Sequence, residues 1–199
     1  GSWLFYVADV CGKGLPASLI MAALWSRMRS EVVRHERPGP LLNSVNRAMY
    51  ELFHEEVFFV SMVCARFSPR TGKLELCVAG HPPPVHVTGN SVAMVAVSGG
   101  LPLGVIPEIT YQEAELTLQP AESLLLFTDG ATDATSSNHE MLGRNRLIEV
   151  LRNTPSPPRG PAIIAHIRTM AADRRWLDDG SLLAGAALCQ TLPGSTAMQ

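Results

Sequence analysis

The sequence predicts an α+β fold, with helices laid over a largely antiparallel core, and three observations carry that reading. The apolar patterns run in the order strand, two helices, several strands, one helix and a final strand. The segment Ser68-Pro69-Arg70-Thr71-Gly72-Lys73 joins two strand patterns through so short a turn that they must pair antiparallel. Gly 16 and Pro 15 together give 31 turn formers, which suits many short connections rather than a helical bundle.

Taken in order, Leu4-Phe5-Tyr6-Val7-Ala8 reads as a short buried strand starting almost at residue 1. So abrupt a start is expected of a domain that continues upstream, and Gly1-Ser2 fits a cloning remnant. Pro16 suits the first turn of a helix in which Leu19, Ala22, Ala23 and Met28 recur at helical spacing. Pro38-Gly39-Pro40 breaks it, and a second helix follows with Leu41, Leu42, Val45, Met49, Leu52 and Phe53 along one face. Residues 57–67 form a nearly continuous apolar run. Beyond the turn, Leu74, Leu76 and Val78 alternate with Lys73, Glu75 and Cys77, the period of two that marks a strand. Further strands are expected over 85–87, 92–97, 111–118 and 123–127. A helix is expected over 161–172, after the Pro155-Ser156-Pro157-Pro158 linker, and a last strand over 181–188. Residues 191–199 read as a flexible tail.

At 199 residues the chain fits one domain with a proper core. Its 16 Lys and Arg against 18 Asp and Glu leave a net charge of −2, which argues against a nucleic-acid binder held by a broad basic surface. No apolar run approaches the roughly 18 residues of a membrane span, and no charged-then-apolar leader opens the sequence. Cys11, Cys64, Cys77 and Cys189 lack CxxC spacing, so neither a zinc knuckle nor a disulfide framework is expected, and a reducing cytoplasm is the default compartment.

The most visible chemistry is acidic. Asp9 follows the first strand and precedes a glycine-rich turn, and Asp129 follows Leu124-Leu125-Leu126-Phe127 in the same way. Asp178-Asp179-Gly180 stands immediately before the apolar run from Ser181 to Leu188. Carboxylates at strand ends can converge on one point, where they repel unless a cation sits between them. Hard oxygen ligands select Mg²⁺ or Mn²⁺ over zinc. Taken singly, each Asp-Gly is an ordinary turn; on spacing alone, turn residues and a metal cluster both remain open. A P-loop ending at Gly12-Lys13 fails because its first glycine would fall at Val7. Gly12-Lys13-Gly14-Leu15-Pro16-Ala17 fits a loose dinucleotide fingerprint, but that fold needs a parallel sheet and the hairpin at 68–73 is antiparallel.

Asp9-Val10-Cys11-Gly12-Lys13-Gly14-Leu15-Pro16-Ala17 resembles the D-V-S-G-K-G-x-P-A motif of bacterial stage II sporulation E/RsbU-type protein phosphatases, members of the metal-dependent PP2C superfamily. The resemblance continues in order through Phe59-Val60-Ser61, Pro69-Arg70-Thr71-Gly72, Ala79-Gly80-His81-Pro82-Pro83, Gly100-Leu101-Pro102-Leu103-Gly104, Phe127-Thr128-Asp129-Gly130-Ala131-Thr132-Asp133 and Asp178-Asp179-Gly180-Ser181-Leu182-Leu183. It implies a PP2C-like antiparallel β-sandwich flanked by helices over residues 1–190, lacking the first strands. It also implies two Mn²⁺ or Mg²⁺ ions and hydrolysis of phosphoserine or phosphothreonine on a protein, without a nucleophilic side chain. The implied substrate is a STAS-type anti-sigma factor antagonist, and the implied upstream neighbour a sensor or receiver domain. Carried over, Asp9, Asp129 and Asp178 are the catalytic metal ligands, with the Val10 carbonyl an extra ligand and Asp179 beside them. The rival reading is a catalytically silent interaction module.

Three departures follow from the same resemblance. The family's upstream G-G-D-[FY]-[YF]-D segment, whose aspartate helps hold the metals, is absent from the 199 residues, so weak metal binding and little activity are expected of this polypeptide. Asp133 stands where Glu is usual, and Ser61 where Thr is usual. His81 reads first as a structural residue bridging groups in its loop, with a catalytic acid as the alternative. Lys13 reads as solvated, with a phosphate contact as the alternative, and Met21, Trp25 and Met28 as core or a dimer face.

Overall fold

The computed structural model describes residues 1–54, 58–133, 141–154 and, as backbone, 190–193. Two compact units emerge, each with its own apolar cluster. The first comprises Gly1–Ser68, Lys73–Pro83 and Ala96–Thr117; the second comprises Pro69–Gly72, Pro84–Val95 and the described residues from Leu118 onward.

The first unit is built on a sheet in the order β1 (Trp3–Val10), β2 (Val60–Phe67), β3 (Lys73–Ala79) and β6 (Gly99–Gly100), with β7 (Glu113–Thr117) also on β3. The β1–β2 and β2–β3 pairs are antiparallel, as the short turn requires; Ser68 N–H closes that turn on the Lys73 carbonyl at 2.8 Å. Two helices, α1 (Gly14–Glu31) and α2 (Pro38–Phe53), cover the sheet face that carries Val10, Met62, Cys64, Cys77 and Ala79. The opposite face carries Val7, Val63, Ala65, Phe67, Leu74, Leu76 and Val78, also buried. The alternation read in β3 therefore does not separate a buried face from an exposed one: Cys77 is as buried as Leu76.

Helix α1 turns a different stripe inward from the one its pattern suggests. Ile20, Leu24 and Met28 are buried at four-residue spacing, while Leu19 and Trp25 are more than half exposed. The helix is apolar almost all round, so periodicity does not select its inner face. The Arg29 guanidinium lies 4.9 Å above the Trp25 ring. Helix α2 begins at Pro38, where the sequence suggests a break, because proline's fixed φ and missing N–H suit the first helical position.

The second unit has an antiparallel sheet in the order β5 (Val92–Met94), β4 (Val85–Val87), β8 (Ser123–Leu126) and β9 (Gln190–Pro193). The four residues of β8 are buried throughout, as a continuous apolar run predicts. Its core includes Val85, Leu125 and Phe127 packed with Leu147, Val150 and Leu151 of α3 (Gly143–Arg152). Pairing of Thr191–Pro193 with β8 overlaps the stretch read as a tail. The helix expected over 161–172 and the strand expected over 181–188 lie outside the described residues. No described helix is long and apolar enough to cross a membrane.

Candidate active site

Asp9 is the penultimate residue of β1, half-buried, and directly opposite Ser61 in the antiparallel register. Val10 ends the strand opposite Val60, with its side chain in the core beneath α1 and α2. The chain then turns: Cys11 N–H donates to the Phe59 carbonyl at 3.0 Å, and Gly12 takes φ +112° with the Phe58 ring against it. A side chain at Gly12 would be strained by that backbone alone. Lys13 caps α1 in extended conformation and is exposed.

Three backbone segments meet beside Asp9. Val60 and Leu103 exchange backbone hydrogen bonds at 3.1 and 2.8 Å, which seats the Leu101-Pro102-Leu103-Gly104 loop against β2. Gly80, with φ +63°, donates to the Gly100 carbonyl at 2.7 Å and turns the chain so that His81 follows. His81 is only 6% exposed, and its Nδ1 lies 2.8 Å from Ser61 Oγ; the same hydroxyl lies 3.5 Å from the Asp9 carbonyl oxygen. His81 is thus tied to a side chain of the neighbouring strand, where its loop setting alone suggests a bridge between backbone groups.

In the second unit, Asp129 opens a 3₁₀ turn over Asp129–Ala131 directly after buried Phe127 and Thr128. Its carbonyl accepts from the N–H groups of Thr132 and Asp133, both at 2.7 Å, and from Thr132 Oγ1 at 3.0 Å. The backbone is pinned while the carboxylate side remains exposed, the disposition a strand-end ligand needs. Asp178 and Asp179 lie outside the described residues.

Asp9 in the first unit and Asp129 in the second each offer a carboxylate on anchored backbone, the hard oxygen donor that Mg²⁺ or Mn²⁺ takes. Among the described residues no three His, Cys, Asp or Glu side chains group as a metal site. Ser61 enters the sequence pattern only as a departure from Thr; its place opposite Asp9 depends on the β1–β2 register, which no local pattern specifies.

Known proteins share this architecture. The model of the family "Stage II sporulation protein E (SpoIIE)" matches residues 1–186. Phosphoserine phosphatase RsbU of Bacillus subtilis is 27% identical over 133 residues, which are 66% of this chain and 39% of that protein. Protein IcfG of Synechocystis is 36% identical over 173 residues, covering 73% of this chain and 27% of that protein. The chain thus spans well under half the length of these curated relatives. The solved SiaA-PP2C domain of Pseudomonas aeruginosa is similar in fold, with a TM-score of 0.74 at 18% identity over 89% of this chain and 76% of that one. With the family model matched across nearly all its residues and the α+β PP2C fold beneath it, the chain belongs to the stage II sporulation protein E (SpoIIE) family.

Proposed function

We propose that this chain is a metal-dependent protein serine/threonine phosphatase domain of cytoplasmic bacterial signalling. Its substrate would be a phosphorylated regulatory protein of the STAS-type anti-sigma factor antagonist class. The observation that carries the reading is the matched setting of Asp9 and Asp129, each on pinned backbone where a strand gives way to a glycine-containing turn. The relative RsbU is named a phosphoserine phosphatase.

On this reading Asp9, the Val10 carbonyl, Asp129 and Asp178 would hold two Mn²⁺ or Mg²⁺ ions, with Asp179 alongside. When bound, such ions supply positive charge to a phosphoryl oxygen and acidify a water. The residues contribute position: the β1–β2 ladder fixes Asp9, and three hydrogen bonds onto its carbonyl fix Asp129. Neither aspartate needs to act as a nucleophile.

The test is Mn²⁺-dependent release of phosphate from an aryl phosphate and from a phosphoserine-bearing protein. It compares the 199-residue polypeptide, a form extended upstream through the G-G-D-[FY]-[YF]-D segment, and Asp129→Ala in the extended form. The expected result is weak turnover in the first, robust turnover in the second and loss in the third. Activity that survives Asp129→Ala removes the site assignment. An extended form that binds a phosphoprotein without hydrolysing it establishes the silent interaction module instead.

A further inference from the structure

The outer edge of β1 carries backbone groups that its own sheet does not use. Val60 gives both of its backbone hydrogen bonds to Leu103, so its N–H and carbonyl point away from β1, and Val10–Val60 is an unbonded pair of the ladder. Alternation from there turns the backbone groups of Asp9, Val7 and Phe5 toward β2, and those of Ala8, Tyr6 and Leu4 toward the other side. Among the described residues no strand lies on that side, and none hydrogen-bonds to the backbone of Leu4, Tyr6 or Ala8.

The strand also lacks the features that keep natural edges apart. Trp3–Val10 contains no proline, glycine, lysine or arginine, and its one charged residue, Asp9, belongs to the set bonded to β2. An apolar row on α1 flanks the edge. Met21, Trp25 and Arg29 follow one another at four-residue spacing; Met21 and Trp25 are 37% and 54% exposed, and Arg29 is folded over the Trp25 ring. The Arg29 charge acts on Tyr6, opposing the rise that burial gives its hydroxyl, which puts this row on the β1 side of the helix.

We infer that the partner of this edge is the same edge of a second copy, the two β1 strands pairing antiparallel across a two-fold axis. A two-fold axis brings identical patches together, and every copy carries this one. Any register that bonds the two edges sets Leu4, Tyr6 and Ala8 against uncharged outward residues of the other copy, so no like charges meet in the ladder. A net charge of −2 adds little repulsion between copies. The inference is independent of the phosphatase reading.

The experiment follows the ¹⁵N-labelled 199-residue protein by sedimentation velocity and by amide hydrogen exchange over a wide concentration range. Dimers are expected to form as concentration rises. In dilute protein the amides of Phe5, Val7 and Asp9 should exchange slowly and those of Leu4, Tyr6 and Ala8 fast; dimerisation should slow the second set and leave the first nearly unchanged. Ala8→Pro removes an outward N–H without touching the ladder to β2. The loss falls on both copies, so dimerisation should weaken by about 10-fold or more. Tyr6→Lys keeps every backbone donor but sets a cation on the edge, and should weaken it too. Slow exchange at Phe5, Val7 and Asp9 in both variants shows that β1 is still folded onto β2. A protein that stays monomeric, with Leu4, Tyr6 and Ala8 fast at every concentration, overturns the inference. So does a monomer in which they are always slow, because the chain then covers its own edge. A dimer that leaves these three amides fast, or that ignores both variants, has its interface elsewhere and overturns the inference as well.

Discussion

The Glu31 carboxylate, at the end of α1, accepts a hydrogen bond from Ser44 Oγ in α2 at 2.9 Å. Arg34 at 3.0 Å and His35 at 3.4 Å complete its surroundings. The Ser44 hydrogen bond outweighs the burial that would raise its pKa, so the carboxyl is held below its ordinary value of 4.5. A carboxylate with a depressed folded-state pKa stabilises the protein above the unfolded value, and that contribution is lost as the pH falls through the folded value. Ser44→Ala is expected to cost about 1.5 kcal/mol at neutral pH. Its cost should shrink progressively below pH 4.5. Urea unfolding at neutral and acid pH checks both; a pH-independent difference would refute the linkage.

Gly80 tests how tightly the turn before His81 is constrained. A Cβ there would lie 2.4 Å from Pro102 Cγ and 2.8 Å from the Pro102 backbone nitrogen, on a backbone of φ +63°. Gly80→Ala should therefore combine left-handed strain of about 1–2 kcal/mol with overpacking of about 1–3 kcal/mol. Gly14 is the control: its φ is +75°, and a Cβ added there would meet nothing within 4 Å. Gly14→Ala should show the strain alone, and equal losses in chemical denaturation would discredit the steric account.

Asn46 is 1% exposed and spans the gap between α2 and the loop after Leu103. Its Nδ2 donates to the Ile106 carbonyl at 2.9 Å, and its Oδ1 accepts from Gly104 N–H at 2.9 Å. Asn46→Ala strands both backbone groups, and the expected cost is about 2–3 kcal/mol. Amide exchange at Gly104 should accelerate beyond what the global loss explains, since the loop opens locally. Exchange that tracks global stability alone would show that Asn46 is merely core.

Strand 85–87 and the antiparallel pairing at 68–73 can be read from the sequence because each depends on local signals, alternation and turn chemistry. Helix α3 is absent from the sequence reading although its signal is present: Leu147, Val150 and Leu151 carry the i, i+3, i+4 spacing, in a short segment rich in arginine. The Gly99–Gly100 strand has no side-chain pattern at all and exists only because β3 offers it a partner. Asp9 and Asp129 are legible because each ends an apolar run in a glycine turn, a local signature. The Ser61–His81 contact is not, since it joins residues 20 apart through a register set by the whole sheet.

Asp9→Asn keeps the size and removes the charge. On the proposed reading Asp9 binds metal directly; outer partners of metal sites are commonly worth about 10–100-fold, so Asp9→Asn should then lower turnover of the upstream-extended form by more than about 100-fold. The Asp133 side chain, exposed after the 3₁₀ turn, lies 3.3 Å from Thr132 Oγ1, and Asp133→Glu should leave turnover largely unchanged. Thermal melting of both variants should match the parent, separating chemistry from folding. Equal activity in Asp9→Asn and the parent removes Asp9 from the site.

Cys64 and Cys77 face each other across β2 and β3, both with no exposed surface. Burial pushes both thiols up, Cys77 to about 12 and Cys64 further, from an ordinary value of 9.0. Thiolates are the reactive form, so neither should be alkylated in the native protein at pH 8, while half-buried Cys11 is the first of the described cysteines to react. The same shifts predict alkaline behaviour. The folded state keeps protons that the unfolded state releases above pH 9, so stability falls as the pH rises through that value, by about 1.4 kcal/mol per pH unit for each thiol. Cys64→Ala should show a shallower alkaline decline in urea midpoint than the parent. An identical decline would mean that other groups set the alkaline limit, and rapid native labelling of Cys77 would mean that the β2–β3 layer opens far more readily than its burial implies.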